Sequence, residues 1–106
     1  MPKKGVMVVE HRVKNFDHWR PYFVQDGKRQ KKAKISKWSI MRSIEDPNDV
    51  IVVAECSDLE KAKEIYSDPE VGKITKKAGV VGKTTFLLAE EIESRQLMQV
   101  RRAKSN

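Results

Sequence analysis

The chain has 106 residues, 39% of them apolar, and a formal net charge of +7. That length holds one core rather than two domains, and a domain so small buries only roughly 60 to 70% of the surface its unfolded chain exposes, which favours pairing with a second copy. There is no run of about 18 apolar residues to cross a membrane, and the segment after Met-Pro-Lys-Lys-Gly already contains Glu10, His11 and Arg12, so a secretory signal is not expected and a cytoplasmic location is.

Val6 to Val13 is β-branched and apolar on both parities before it turns polar, and predicts the first strand. Asn15 and Asp17 are both good helix N-caps, and Phe16, Trp19 and Phe23 recur at i, i+3 and i+7, which sets three rings on one face of a first helix. Pro21 falls in its first turn if Asp17 is the cap, and Gly27 weakens its interior by roughly 1 kcal/mol relative to Ala. Ile35 to Ser43 predicts a second strand with a solvated face, and its break of parity fits a small bulge near Ser36. Glu45-Asp-Pro-Asn-Asp49 is dense turn chemistry and closes a hairpin. Val50 to Cys56 is the most apolar segment and predicts a third strand in the sheet interior, with the single cysteine, Cys56, as a buried small hydrophobe.

Ser57 and Asp58 compete to cap a second helix whose stripe is Leu59, Ala62, Ile65 and Tyr66. Ser67-Asp68-Pro69 ends it, and Glu70 to Ala78 forms a short further piece stopped by Gly79. After a turn at Val81-Gly82-Lys83, Thr84 to Ile92 is the last strand. The expected organisation is one domain over 1–92 and a basic tail over 93–106, frayed or briefly helical. The order β-α-β-β-α-β, with right-handed crossovers, predicts an α+β, ferredoxin-like fold: a four-stranded antiparallel sheet with helices on one face. Strands one and three are apolar on both parities, so the bare face also needs a cover, and a mate's sheet supplies the simplest one.

The stretches His11-Arg-Val-Lys-Asn-Phe-Asp-His-Trp-Arg-Pro-Tyr-Phe23, Pro47-Asn-Asp-Val-Ile-Val-Val-Ala-Glu55 with Asp58-Leu-Glu-Lys-Ala-Lys63, and Ala78-Gly-Val-Val-Gly82 resemble the antibiotic-biosynthesis-monooxygenase-like, or dimeric α/β-barrel, superfamily. The resemblance reaches across most of residues 6 to 92. It implies a homodimer whose sheets face each other, with a cleft between sheet and helices in each subunit. Its members include oxygenases, decarboxylases, haem-handling enzymes and proteins without known activity, so it implies a fold more than a reaction. Oxygenases of this kind often work without a dissociable cofactor, and no cofactor is expected here.

His11, near the end of strand one and singled out by the resemblance too, is the candidate catalytic base or donor; the alternative is a structural histidine bonding a loop carbonyl or a carboxylate such as Asp17. Trp19, Phe23 and Trp38 are the candidate ligand-binding aromatics, with plain core packing as the alternative. His18 should face outward. Glu55, on the most buried strand, has to pair, face the dimer seam or carry a raised pKa, and pairing with Arg12 or Arg42 is the structural reading. No metal-ligand spacing joins His11, His18 and Cys56, so no metal site is expected. Nucleophile elbows, Walker loops and dinucleotide fingerprints are absent.

Specific nucleic-acid binding is not expected either. The RNA-recognition module shares this element order but stacks bases on aromatics of its first and third strands, and Val6-Met-Val-Val-Glu and Val50-Ile-Val-Val-Ala-Glu have none. The basic excess is local: Lys28, Arg29, Lys31, Lys32, Lys34 and Lys37 lie in one acid-free stretch, and Arg95, Arg101, Arg102 and Lys104 in the tail. Three functions stand: binding of a small, partly apolar molecule in the cleft; a cofactor-independent monooxygenase or isomerase-like enzyme with His11 as base; and a noncatalytic polyanion- or protein-interaction module.

Overall fold

Two helix breaks shape this chain. A computed structural model describes residues 2–97, with elements β1 (Gly5–Val13), α1 (Phe16–Val24), α2 (Gly27–Lys32), β2 (Ile35–Arg42), β3 (Asp49–Cys56), α3 (Leu59–Tyr66), α4 (Pro69–Lys77) and β4 (Val80–Glu90). The expected first helix is thus two. Asn15, not Asp17, caps α1, its side chain accepting from the His18 N–H at 2.9 Å. The chain then breaks at Gln25-Asp26, and Gly27 opens α2 instead of weakening a helix interior. Asp58 caps α3, accepting from Lys61 N–H. Asp68 caps α4 with Pro69 in the first turn, where its missing N–H costs nothing.

The four strands form one antiparallel sheet in the order β2-β3-β1-β4, the ferredoxin-like arrangement, within an element order of β-α-α-β-β-α-α-β. The bulge near Ser36 is present: pairing passes from Ile35 opposite Cys56 to Lys37 opposite Glu55, leaving Ser36 unpaired. β4 starts earlier than expected, at Val80, and the supposed turn at Val81-Gly82-Lys83 lies inside it. There the pairing with β1 jumps from Arg12–Val81 to Glu10–Thr85, so Gly82, Lys83 and Thr84 stand opposite the single residue His11. Gly82 takes φ of +75°, a conformation that Gly reaches without a Cβ penalty, and so turn-like chemistry becomes a bulge. The tail's expected conformation falls from Met98 onward outside the described residues.

The odd-numbered residues of β1 face the helices, and there the core divides in two. Met7, Ala54 and Cys56 pack with Ala33, Leu59 and Ala62 beneath α2 and α3. Val13, Val50 and Val52 pack with Trp19 and Ala78 beneath α1 and the end of α4. The division follows the helix breaks, because each half-helix covers its own end of the sheet. Gly5 allows the edge pairing to close, since a Cβ there would come within 2.0 Å of the Ala89 carbonyl oxygen.

The other sheet face carries Val6, Val8, Ile51, Val53, Met41 and Leu87, with Met41 44% and Leu87 53% exposed. Glu55 belongs to this face and is exposed. The expected partners are engaged elsewhere: Arg12 pairs with Asp46, while Arg42 donates from Nε to the Pro47 carbonyl and lies 4.2 Å over the Phe16 ring. Among the described residues no helix is long and apolar enough to cross a membrane.

Candidate functional site

A cavity of about 120 Å³ lies where both helix breaks meet the sheet, and its lining draws on both core clusters. Phe23, Asp26 and Arg29 reach it from the α1–α2 junction, Tyr66 and Val71 from the α3–α4 junction, and His11 from the sheet floor. Sequence explains the placement: Asp26-Gly27 and Asp68-Pro69 each lie where one helix stops and the next starts, and residues flanking both breaks line the space.

His11 is only 5% exposed. Its ring meets Trp19 edge-on, centroids 5.6 Å apart and planes at 77°. Neither a loop carbonyl nor a carboxylate such as Asp17, the partners of the alternative structural reading, bonds the ring among the described residues; Nδ1 lies 3.4 Å from Thr84 Oγ1 across the β4 bulge. The hydroxyl can donate or accept, so it supports either neutral tautomer. Nε2 is buried and has no hydrogen-bond partner. Burial disfavours the imidazolium and pushes the pKa below its ordinary value, so the ring is neutral at pH 7.

Trp19 and Phe23 form a stacked wall of the cavity, centroids 5.6 Å apart and planes at 12°. Trp38 is not part of the lining. It stands edge-on to Phe23 at 4.9 Å and packs against the core cluster beneath α2 and α3, so its role is to back the wall. His18 is exposed, as expected, and its Nε2 donates to the Lys77 carbonyl at 3.1 Å, tying α1 to the end of α4.

Tyr66 is the cavity residue that sequence reasoning missed. Its hydroxyl is buried and without a partner. Burial pushes the phenol pKa up, and the nearby Asp26 charge pushes the same way against the opposing pull of Arg29, so the group stays an O–H donor. The available signal was its position: it is the sole polar tip on the α3 stripe, immediately before the break at Ser67-Asp68-Pro69. Asp26 and Arg29, also missed, bind each other at 2.9 Å with side chains 25% and 18% exposed. Gln30, buried nearby, donates to the Phe23 carbonyl and fixes the α1–α2 junction. Among the described residues no three His, Cys, Asp or Glu side chains gather as a metal-binding group.

No protein-family model matches this chain, and no curated protein matches it. Solved structures do. A protein from Bordetella bronchiseptica described as an antibiotic biosynthesis monooxygenase superposes with a TM-score of 0.68 at 9% identity, covering 86% of this chain and 99% of that one. SnoaB, a cofactor-independent oxygenase from Streptomyces nogalater, gives 0.63 at 11% identity over 91% and 97%. A conserved protein from Methanosarcina mazei gives 0.66 at 11% over 84% and 93%. Likeness at such identities lies in the backbone: the chain has the ferredoxin-like fold seen in structures described as antibiotic biosynthesis monooxygenases.

Proposed function

We propose that the protein binds a small, partly apolar molecule in the cavity between α1, α4 and the sheet, as a homodimer whose bare sheet faces cover each other. One observation carries the binding role. A histidine almost wholly removed from water, with Nε2 unpartnered, lines a space that is otherwise mostly apolar. A buried polar atom without a partner costs about 1–3 kcal/mol, and a ligand that bonds to it recovers that cost. The homodimer rests on the apolar row Val6, Val8, Ile51, Val53 and Leu87, which a single sheet leaves to solvent. A cytoplasmic location belongs to the same proposal.

The enzymatic form of this proposal uses His11 Nε2 as a general base, its Nδ1 steadied by Thr84. A neutral imidazole at pH 7 is competent to accept a proton from an acidic ligand. The likeness to SnoaB, a cofactor-independent oxygenase, favours this form over simple carriage. The polyanion alternative has less support: Arg29 is held by Asp26, and Glu64 and Asp68 lie in the same surface recess as Lys28 and Lys32, offsetting their charge.

The test is a crystal structure of the protein as purified and after soaking with small phenols. Ordered density touching His11 Nε2 is the expected result. Closure of the space by Trp19, Phe23 and Tyr66, with no soaked compound entering, overturns the proposal.

A further inference from the structure

Resting on the cavity reading above, we infer that the ligand is a neutral, single-ring molecule with oxygen-bearing groups at two separate positions, one accepting from the Tyr66 hydroxyl and one bonded to His11 Nε2. Four features of the cavity set this class.

Volume sets the ring count. At about 120 Å³ the space is near that of the engineered apolar cavity of about 150 Å³ that takes up benzene. One ring with small substituents fills it, and a second fused ring has to move the walls or stand out past Tyr22 and Phe86 at the exposed rim, where it gains little burial. Shape agrees, because Trp19 and Phe23, stacked with planes only 12° apart, line the cavity with aromatic surface on which a ring can pack.

Charge sets neutrality. The cavity's charged side chains are Asp26 and Arg29, which neutralise each other at 2.9 Å. Among the described residues an anionic ligand finds no unpaired cation there. Arg29 still has N–H donors to offer, but the Asp26 carboxylate bonded to it offsets its charge and repels a second anion brought to the same partly buried place.

Unmet hydrogen bonds set the two polar positions. His11 Nε2 and the Tyr66 hydroxyl are the two buried side-chain polar atoms without partners among the described residues, and both residues line this one cavity. They reach it from different elements, β1 and α3, so a ligand answering both has polar groups at two places on its ring. Tyr66 offers an O–H and therefore calls for an acceptor: a carbonyl, ether or hydroxyl oxygen. His11 Nε2, with Thr84 able to support either tautomer, takes a hydroxyl or a carbonyl.

The test titrates the full-length chain at pH 7 with para-methoxyphenol, which is neutral there, beside para-xylene, para-hydroxybenzoate and the two-ring methoxynaphthol, read by isothermal titration calorimetry. The expected ranking has para-methoxyphenol tightest, with the carboxylate and the two-ring compound about tenfold or more weaker. Tyr66→Phe, which removes one oxygen and keeps the ring, weakens para-methoxyphenol about three- to tenfold and leaves para-xylene unchanged. Val71→Phe, which fills the cavity from α4, removes binding of all four; circular dichroism checks that both variants fold. Equal or tighter binding of para-hydroxybenzoate or methoxynaphthol overturns the ligand class while leaving the cavity proposal standing, and so does an unchanged affinity in Tyr66→Phe. Binding by none of the compounds, or binding untouched by Val71→Phe, removes the cavity proposal and this inference with it.

Discussion

His11 stands edge-on to Trp19, their ring centroids 5.6 Å apart and their planes at 77°. The contact joins the sheet floor to the first helix and holds the imidazole where water does not reach it, which is why its pKa lies below the ordinary value. An unfolded chain exposes His11 at that ordinary value, about 6.5. The unfolded state therefore binds the proton first as pH falls. Stability is full above about 6.5 and is lost progressively down to the lower folded value. Urea midpoints measured from pH 8 to pH 5 should fall across that window, and the fall should flatten in His11→Gln. An identical slope in the variant would show that other groups set it.

The two tryptophans have different roles, and ligand binding should separate them. Trp19 is 3% exposed and lines the cavity, so Trp19→Ala should cost about 3–5 kcal/mol of stability. Phe23→Leu keeps an apolar side chain but removes an aromatic ring from the cavity wall, and should weaken ligand binding. Trp38→Phe, one ring behind that wall, should leave affinity within about twofold. If Trp38→Phe lowers affinity as much as Phe23→Leu, the cavity extends past the wall and its lining here is incomplete.

Most of this fold was legible because period and punctuation agreed. Strands one and three announce themselves by β-branched runs, the hairpin by Asp46-Pro47-Asn48, and the bulge by the parity break between Ile35 and Trp38. What sequence concealed were the places where a local signal had two structural outcomes. Gly27 reads equally as a flaw within a helix or as the start of a new one, and the packing of α2 onto α3 decides. Gly82 reads as a turn or a bulge, and β1 pairing decides. The site is half legible for the same reason. His11, Trp19 and Phe23 carry periodic or positional signals, but Tyr66, Asp26 and Arg29 join them only because both helices break at the same level above the sheet.

Two glycines should respond to alanine with opposite signs. At Gly5 a Cβ meets the Ala89 carbonyl oxygen at 2.0 Å, a contact with backbone that no rotamer relieves. Gly5→Ala should lose about 1–3 kcal/mol as β1 and β4 move apart. At Gly27 nothing lies within 4 Å of the added methyl, and the residue is helical. Gly27→Ala should gain about 0.4–1 kcal/mol by restricting the unfolded chain. Thermal unfolding of the two variants checks both signs, and a stabilised Gly5→Ala would mean that the β1–β4 pairing is looser than described.

The proposed homodimer gives the last prediction. The open face places Val8, Val53 and Leu87 side by side across β1, β3 and β4, since Val8 is opposite Val53 on one side and Leu87 on the other. All three remain at least partly accessible in one subunit. Covering such a row by its copy removes apolar surface from water at about 25 cal/mol per Å², before the cost of association is subtracted. A carboxylate in the row has to be desolvated without a partner, so Val53→Asp should shift the equilibrium strongly to single chains. Light scattering at micromolar concentration should read twice the 12.2 kDa chain mass for the native protein and the single-chain mass for the variant. Circular dichroism should show the sheet retained, because Val53 faces away from the core beneath the helices. A native protein that scatters as one chain overturns the dimer and leaves this face for a different partner.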